Sequence, residues 1–320
     1  MLKILGIAVG IVLMSGMAHA EVAYPTRPVV LMVPYAPGGP SDVASRILAD
    51  ELAKVWKQQV VILNKPGGGT IIGTTFAAQA PADGYTLAFA GGSYVVNAAL
   101  RKNMPYDALR DFRGITVFDD SPIDIVAHKG LPAQTLPELI DLAKQRQLTF
   151  ASAGIGSIAH MTGELLAQVT GIKLRHISYS GDAAALPDVM SGRVDFRMGS
   201  WSDDRRYVEA GQLKLLSVVY PKRLQEAPNT PTVNEIIPSM AKYPAGVFNS
   251  IIVSKAVPTE IVEKISAAMK IALASDSFKQ RISALGLYPR YTTPEETDKF
   301  LKAQIDTWAD IGKTANITFD

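Results

Sequence analysis

Two short segments combine glycines with hydroxyl side chains in a way suited to holding a small anion. They are Tyr35-Ala36-Pro37-Gly38-Gly39-Pro40-Ser41-Asp42 and Ala153-Gly154-Ile155-Gly156-Ser157. Each follows an apolar run that reads as a strand and leads into a segment with helical spacing. Glycines there let backbone amides approach a ligand, and the unsatisfied amides at a helix start attract negative charge. Neither segment contains Lys or Arg. Recognition therefore rests on neutral donors, with Ser41 and Ser157 supplementing the amides, and a carboxylate suits such a site. Ordinary βα turns capped by Ser or Asp have the same composition. It is the occurrence of two such loops in separate halves of the chain that sharpens the functional reading.

Other side chains in these loops allow two roles. Asp42 either caps free amides at the start of its helix or faces the ligand, where it would repel a carboxylate and prefer an amine or hydroxyl. The Tyr35 ring either packs locally or roofs the pocket with its hydroxyl available. His160, three residues after Ser157, falls on about the same helical face, and a local Ser-His pair of this kind is often a cap contact. No Gly-x-Ser-x-Gly elbow surrounds Ser157, so nucleophilic catalysis has little support. Neither a phosphate-binding loop nor a Gly-x-Gly-x-x-Gly fingerprint is present, which disfavours nucleotides. His128, His160 and His176 fall in separate elements and there is no cysteine, so no metal or other cofactor is expected.

The elements that position these loops alternate. Val29 to Val33, Val60 to Leu63 and Tyr85 to Ala90 read as strands, with helices from Val43 to Val55 and from Gly73 to Ala80 between them. Asp124 to His128, Thr149 to Ala153, Arg175 to Tyr179, Val194 to Met198 and Leu213 to Tyr220 continue the strand pattern. Helices lie from Thr135, with its Thr-x-x-Glu capping signal, from Ala159 to Val169 and from Ala183 to Met190. Repetition of this kind predicts βαβ units and parallel sheets. After a Pro-rich passage, Phe248 to Ser254 reads as a strand, and the rest is helical: Thr259 to Ala274, Ser277 to Leu285 and Thr293 to Ala315. Those last helices need a partner surface. Packing them on the first sheet gives lobe 1 from 21–121 and 246–320 and lobe 2 from 122–245, with two crossings that form a hinge.

The first residues read as a secretory leader: Lys3, an apolar stretch from Ile4 to Met17, then Ala18-His19-Ala20. Cleavage after Ala20 is expected, giving a free periplasmic protein, because no cysteine follows to carry a lipid. The remaining length of about 300 residues exceeds what one core usually holds. A net charge of +2 without a long basic run disfavours nucleic acid and anionic membrane surfaces as partners.

Several ordered segments together resemble the Bug-type receptors, the periplasmic substrate-binding proteins of tripartite tricarboxylate transporters. They include Val33-Pro34-Tyr35-Ala36-Pro37-Gly38-Gly39, Asn64-Lys65-Pro66-Gly67, Pro81-Ala82-Asp83-Gly84-Tyr85-Thr86-Leu87, Pro105-Tyr106-Asp107, Ala151-Ser152-Ala153-Gly154 and Gly192-Arg193-Val194-Asp195. The resemblance spans essentially the whole chain. It implies an α/β, two-lobed Venus-flytrap fold with two doubly wound sheets joined by a hinge. Tyr35, Gly38, Gly39, Ser41 and Asp42 would line one side of the site, Gly92 and Ser93 the middle, and Gly156, Ser157 and His160 the other. The implied ligand is a small di- or tricarboxylate, aromatic acid or amino acid, bound by a monomer and passed to integral membrane transporter subunits. A ligand-presenting receptor for a sensor kinase is the alternative role, and a periplasmic hydrolase a third. Pro40, Ile71, Ile155 and Gly199 depart from the family's usual residues, three of them where polar groups are frequent, which implies a roomier or more apolar far end of the pocket.

Overall fold

The computed structural model describes residues 23–242, 246–314 and 317. The expected leader with its cleavage position after Ala20 lies outside them, as does the expected lobe boundary at 245. Among the described residues no helix is long and apolar enough to cross a membrane.

Chain order begins β1 (Val29–Val33), α1 (Pro40–Trp56), β2 (Val60–Asn64), α2 (Ile71–Ala78), β3 (Thr86–Gly91), α3 (Gly92–Leu100) and β4 (Phe112–Ser121). β5 (Ile123–His128), α4 (Leu136–Gln145), β6 (Leu148–Ser152), α5 (Ile158–Thr170), β7 (Leu174–Ser178) and α6 (Asp182–Met190) follow. Then come β8 (Phe196–Ser200), α7 (Trp201–Glu209), β9 (Leu213–Val219), α8 (Val233–Ile236), β10 (Val247–Ser254), α9 (Thr259–Ala274), α10 (Asp276–Ala284), β11 (Tyr288–Pro289) and α11 (Pro294–Thr314).

The first sheet runs β11-β4-β10-β3-β1-β2. β1 is continuously apolar because both of its faces are covered. Val29, Leu31 and Val33 join a core with residues of α1, α9 and α10, whereas Met32 points to the opposite core with Ala88, Ala90 and residues of α3 and α11. Each fully buried Leu, Val or Met side chain contributes about 1.5–3 kcal/mol. The second sheet runs β7-β6-β8-β5-β9. Alternation along its strands separates two faces: Phe150, Phe196, Met198 and Ile125 face the layer that contains α4 and α5, while Val126 and Ala151 face a core shared with α6.

Both sheets are mixed, a correction to the parallel sheets read from the alternation. β1 is parallel to β2 and β3, but β10 is antiparallel to β3 and β4, and β5 is antiparallel to β8 and β9. The cause is topological. β4 ends at Ser121 in the first sheet and β5 begins at Ile123 in the second, and β10 re-enters the first sheet after β9. Strands that arrive from the other sheet run against the strands already there, since no crossover helix turns them round. At the far end of the chain, α9 and α10 pack on α1, and α11 on α3 and β4.

Five elements escaped the sequence reading, the short α8 and β11 and three longer ones. α3 opens on Gly92 and Ser93 and contains Val95 and Val96, so its helical propensity is weak and its burial against α11 decides its state. β4 carries Asp119, Asp120 and Ser121, which break the apolar signal of a buried strand. α7 is mostly charged, with Trp201 its buried hydrophobic anchor.

The lobes touch beside the helix starts. α5 of the second lobe packs against α3 and α11 of the first, and a single apolar cluster runs through Val95, Val96, Trp308, Ile158 and Ala159. A Cβ on Gly92 would lie 2.5 Å from Ile158 Cγ1. Only glycine allows the two helix N-termini to approach this closely.

Candidate functional site

In sheets of this kind the loops that follow the carboxyl ends of parallel strands bound the ligand crevice. Here those loops lead into α1, α2 and α3 from β1, β2 and β3, and into α5, α6 and α7 from β6, β7 and β8. Five of these six helix starts share a property. The N-caps Gly39, Thr70, Gly91, Gly181 and Ser200 of α1, α2, α3, α6 and α7 make no side-chain cap bond. Helices starting elsewhere are mostly satisfied: Thr135, Thr232, Ser275 and Thr293 cap α4, α8, α10 and α11. Free amides are therefore concentrated where the two sheets face each other.

Asp42 belongs to the architecture of the first loop. It is 1% exposed. One oxygen accepts from Gly38 N–H at 2.8 Å and Arg46 Nε at 2.9 Å; the other accepts from Arg46 Nη2 at 3.1 Å and Asn64 Nδ2 at 2.8 Å. With all four lone pairs used, no acceptor remains for a ligand, and the ligand-contact role read for Asp42 is replaced by one of shaping the loop. Burial alone raises its pKa, but these donors bring it down to about 2. Gly38 closes the loop at φ +86°, a conformation glycine adopts without cost. Tyr35 stands edge-on to Phe89 with ring centres 5.6 Å apart, and its hydroxyl lies close to Ser93. That proximity sets the loop after β1 beside the start of α3, so Tyr35, Gly91, Gly92 and Ser93 come together on one side. Gly39 and Ser41 sit at the start of α1, partly exposed.

The second loop is braced from below. Ser157 is the N-cap of α5, its Oγ accepting from His160 N–H at 3.1 Å. His160 Nδ1 accepts from Gly156 N–H at 3.1 Å, and Gly156 has φ +78°. The imidazole therefore holds the loop and does not meet Ser157 Oγ, so the pair is not arranged as nucleophile and base. His160 also departs from the ligand-contact role read for it: it is buried, stacked on His176 at 4.0 Å between ring centres. Ser152 Oγ lies 2.7 Å from His176 Nε2 and accepts from Gly154 N–H at 3.2 Å. Burial lowers both imidazoles to about 4, His160 also through its neighbour, and both are neutral at pH 7. No sequence signal marks His176 or Ser152 as part of this brace, since they approach only across the paired strands β6 and β7. Ser157 O–H reaches Ser152 Oγ only at 3.4 Å, a long bond that leaves the proton available to a ligand.

The helix starts at α6 and α7 are electrostatically filled. Arg197 on β8 is fully buried; it donates to the Asp182 carbonyl at 2.8 Å and carboxylate at 2.5 Å, and its Nε forms an off-axis ion pair with Asp204 at 3.0 Å. Asp124 on β5 pairs across the strands with Gly199. Burial raises both Asp124 and Asp204, which share this cluster with the Arg197 guanidinium. Gly199 is explained by this cluster: a Cβ there would lie 2.5 Å from Arg197 Nε, in space that the guanidinium and Asp204 fill. In contrast α2, α3 and α5 carry no acid in their first turns. The ends of α3 and α5, opposed across Gly92, are thus the positive ends left open to an anion.

Known proteins resemble this chain in sequence and in fold. Residues 44–317 match the tripartite tricarboxylate transporter family receptor. BugT of Bordetella pertussis is 29% identical over 315 residues, 97% of this chain and 96% of its own. An R. palustris protein solved with adipate superposes at a TM-score of 0.79 with 30% identity, covering 92% of this chain and 99% of that one. MatC from Rhodopseudomonas palustris with bound malate gives 0.74 and 26%, covering 90% and 99%. Two sheets of matching architecture, open helix starts between them and a profile match over most of the length lead to one conclusion: the chain belongs to the tripartite tricarboxylate transporter receptors, the periplasmic solute-binding proteins of the Bug type.

Proposed function

We propose that this receptor holds a small carboxylate between its lobes and delivers it to the membrane subunits of a tripartite tricarboxylate-type transporter. The observation that carries the reading is the opposition of the α3 and α5 starts, neither with an acid in its first turn. Ser93, Ser157 and the first amides of both helices supply neutral donors, with Tyr35, Gly38, Gly39 and Ser41 closing the side of the first lobe. Gly156 and His160 act as the brace that keeps Ser157 in place. The carboxylates bound by the adipate and malate relatives belong to the same chemical class. Closure occurs about the crossings at Pro122 and between β9 and β10, and the protein works as a monomer in the periplasm after removal of its leader.

A thermal-shift screen of mono-, di- and tricarboxylates and amino acids tests the reading. A ligand at a hundred times its Kd raises stability by about 2.7 kcal/mol. At least one carboxylate is expected to raise the melting temperature, and that acid should enter vesicles only when receptor and membrane subunits are both present. No shift with any carboxylate would sink the proposal.

A further inference from the structure

The site has polarity beyond the carboxylate clamp. Ile155 stands at the tip of the second loop, one residue before Gly156, with 67% of its surface exposed. Ile72, in the first turn of α2 on the facing lobe, is 56% exposed. Both lie at the carboxyl ends of parallel strands, where a ligand anchored at α3 and α5 has its remaining atoms. Large aliphatic side chains left open beside a polar clamp are satisfied by apolar ligand surface.

Charge on the other side of the second loop acts in the same sense. Strand order places β6 between β7 and β8, so the loop after β6 is flanked by Asp182 at the start of α6 and Asp203 at the start of α7. Asp182 is 28% exposed, and Arg197, its one ion-pair partner among the described residues, is shared with Asp204. Asp203 makes no ion pair or hydrogen bond among the described residues, and burial with the nearby Asp182 charge raises it to about 6, leaving it mostly ionised at pH 7.5. These two carboxylates occupy helix starts that would otherwise welcome a second anionic group on the ligand.

Resting on the carboxylate reading, we infer that the preferred ligand is a monocarboxylate with an apolar body, and that Ile155, Asp182 and Asp203 set the preference against dicarboxylates. Ile155 supplies apolar contact for the body, and the two aspartates reject a second carboxylate at the far end.

Calorimetric titration at pH 7.5 with two matched pairs, hexanoate with adipate and benzoate with terephthalate, reads the preference directly. The expected result is binding of a monoacid with its diacid at least tenfold weaker. Asp203→Asn should narrow that ratio at least threefold, and Ile155→Asn should weaken the monoacid at least fivefold with an unchanged melting temperature. A diacid that binds as tightly as its monoacid in every pair that binds overturns the inference and leaves the carboxylate reading intact. An unchanged ratio in Asp203→Asn overturns the role of the aspartates. Silence from all four acids overturns the inference, while the carboxylate reading stands or falls on the wider thermal-shift screen.

Discussion

At the residue scale, the candidate side chains divide into those that can meet a ligand and those that brace the ones that do. Ser157 does both. Ser157→Ala removes the α5 cap, which costs about 1 kcal/mol, and also deletes a donor to a charged acceptor, so calorimetry should show binding weaker by about tenfold or more. Unaltered affinity in a less stable variant would leave Ser157 as a cap alone. His160 and His176 give a pH prediction. Their folded pKa values near 4 lie below the unfolded value of about 6.5. The contribution of each is full above the unfolded value and is lost as pH falls from there to the folded one. Imidazole proton NMR should find both rings neutral at about pH 5.5, and a midpoint above 6 for either ring would contradict the buried stack. Asp42 acts over a lower range: its stabilisation is full above about 3.9 and disappears as pH falls through about 2.

At the scale of elements, the contact between α3 and α5 joins the lobes and frames the clamp. Gly92 has no strained backbone angle to protect, so its role is purely spatial. Gly92→Ala puts a methyl against Ile158 and should cost about 1–3 kcal/mol in melting experiments, as overpacked cores do, while weakening carboxylate binding by separating the two helix starts. Ile158→Ala, which removes the blocking Cγ1, alone costs about 2–5 kcal/mol. In the double variant the space left by Cγ1 takes the methyl, so its loss should be less than the sum of the single losses. Strict additivity would mean that the two helices do not touch through this pair.

For the whole molecule, the two crossings between sheets define how it can move. Binding should close the lobes about them, seen as a smaller radius of gyration by X-ray scattering with a saturating ligand. An unchanged radius would show that closure is not coupled to binding. Export makes a second prediction: mass spectrometry of the periplasmic fraction should find a chain beginning near Glu21, and an intact chain starting at Met1 in the membrane fraction would refute cleavage.

The sequence by itself determined the elements with strong periodic or capping signals. Val29 to Val33, the Thr135 and Thr293 helix starts and the long apolar helix from Thr259 all follow local rules, because their side chains bury or cap whatever lies beyond them. It also pointed to the two glycine loops, since composition reveals where backbone can approach a ligand. Three things were decided only by the tertiary structure. Strand direction in the mixed sheets depends on which lobe a strand enters from, and neither β5 nor β10 carries that information in its own residues. The functions of Asp42 and His160 depend on partners: Arg46 and Asn64 saturate one, and Gly156 and His176 engage the other. The electrostatic character of the site depends on Asp182, Asp203, Asp204 and Arg197, which paired strands and the adjoining helix starts bring together. Hydrogen bonds and charges act through space, and for those residues the distances were set by the fold.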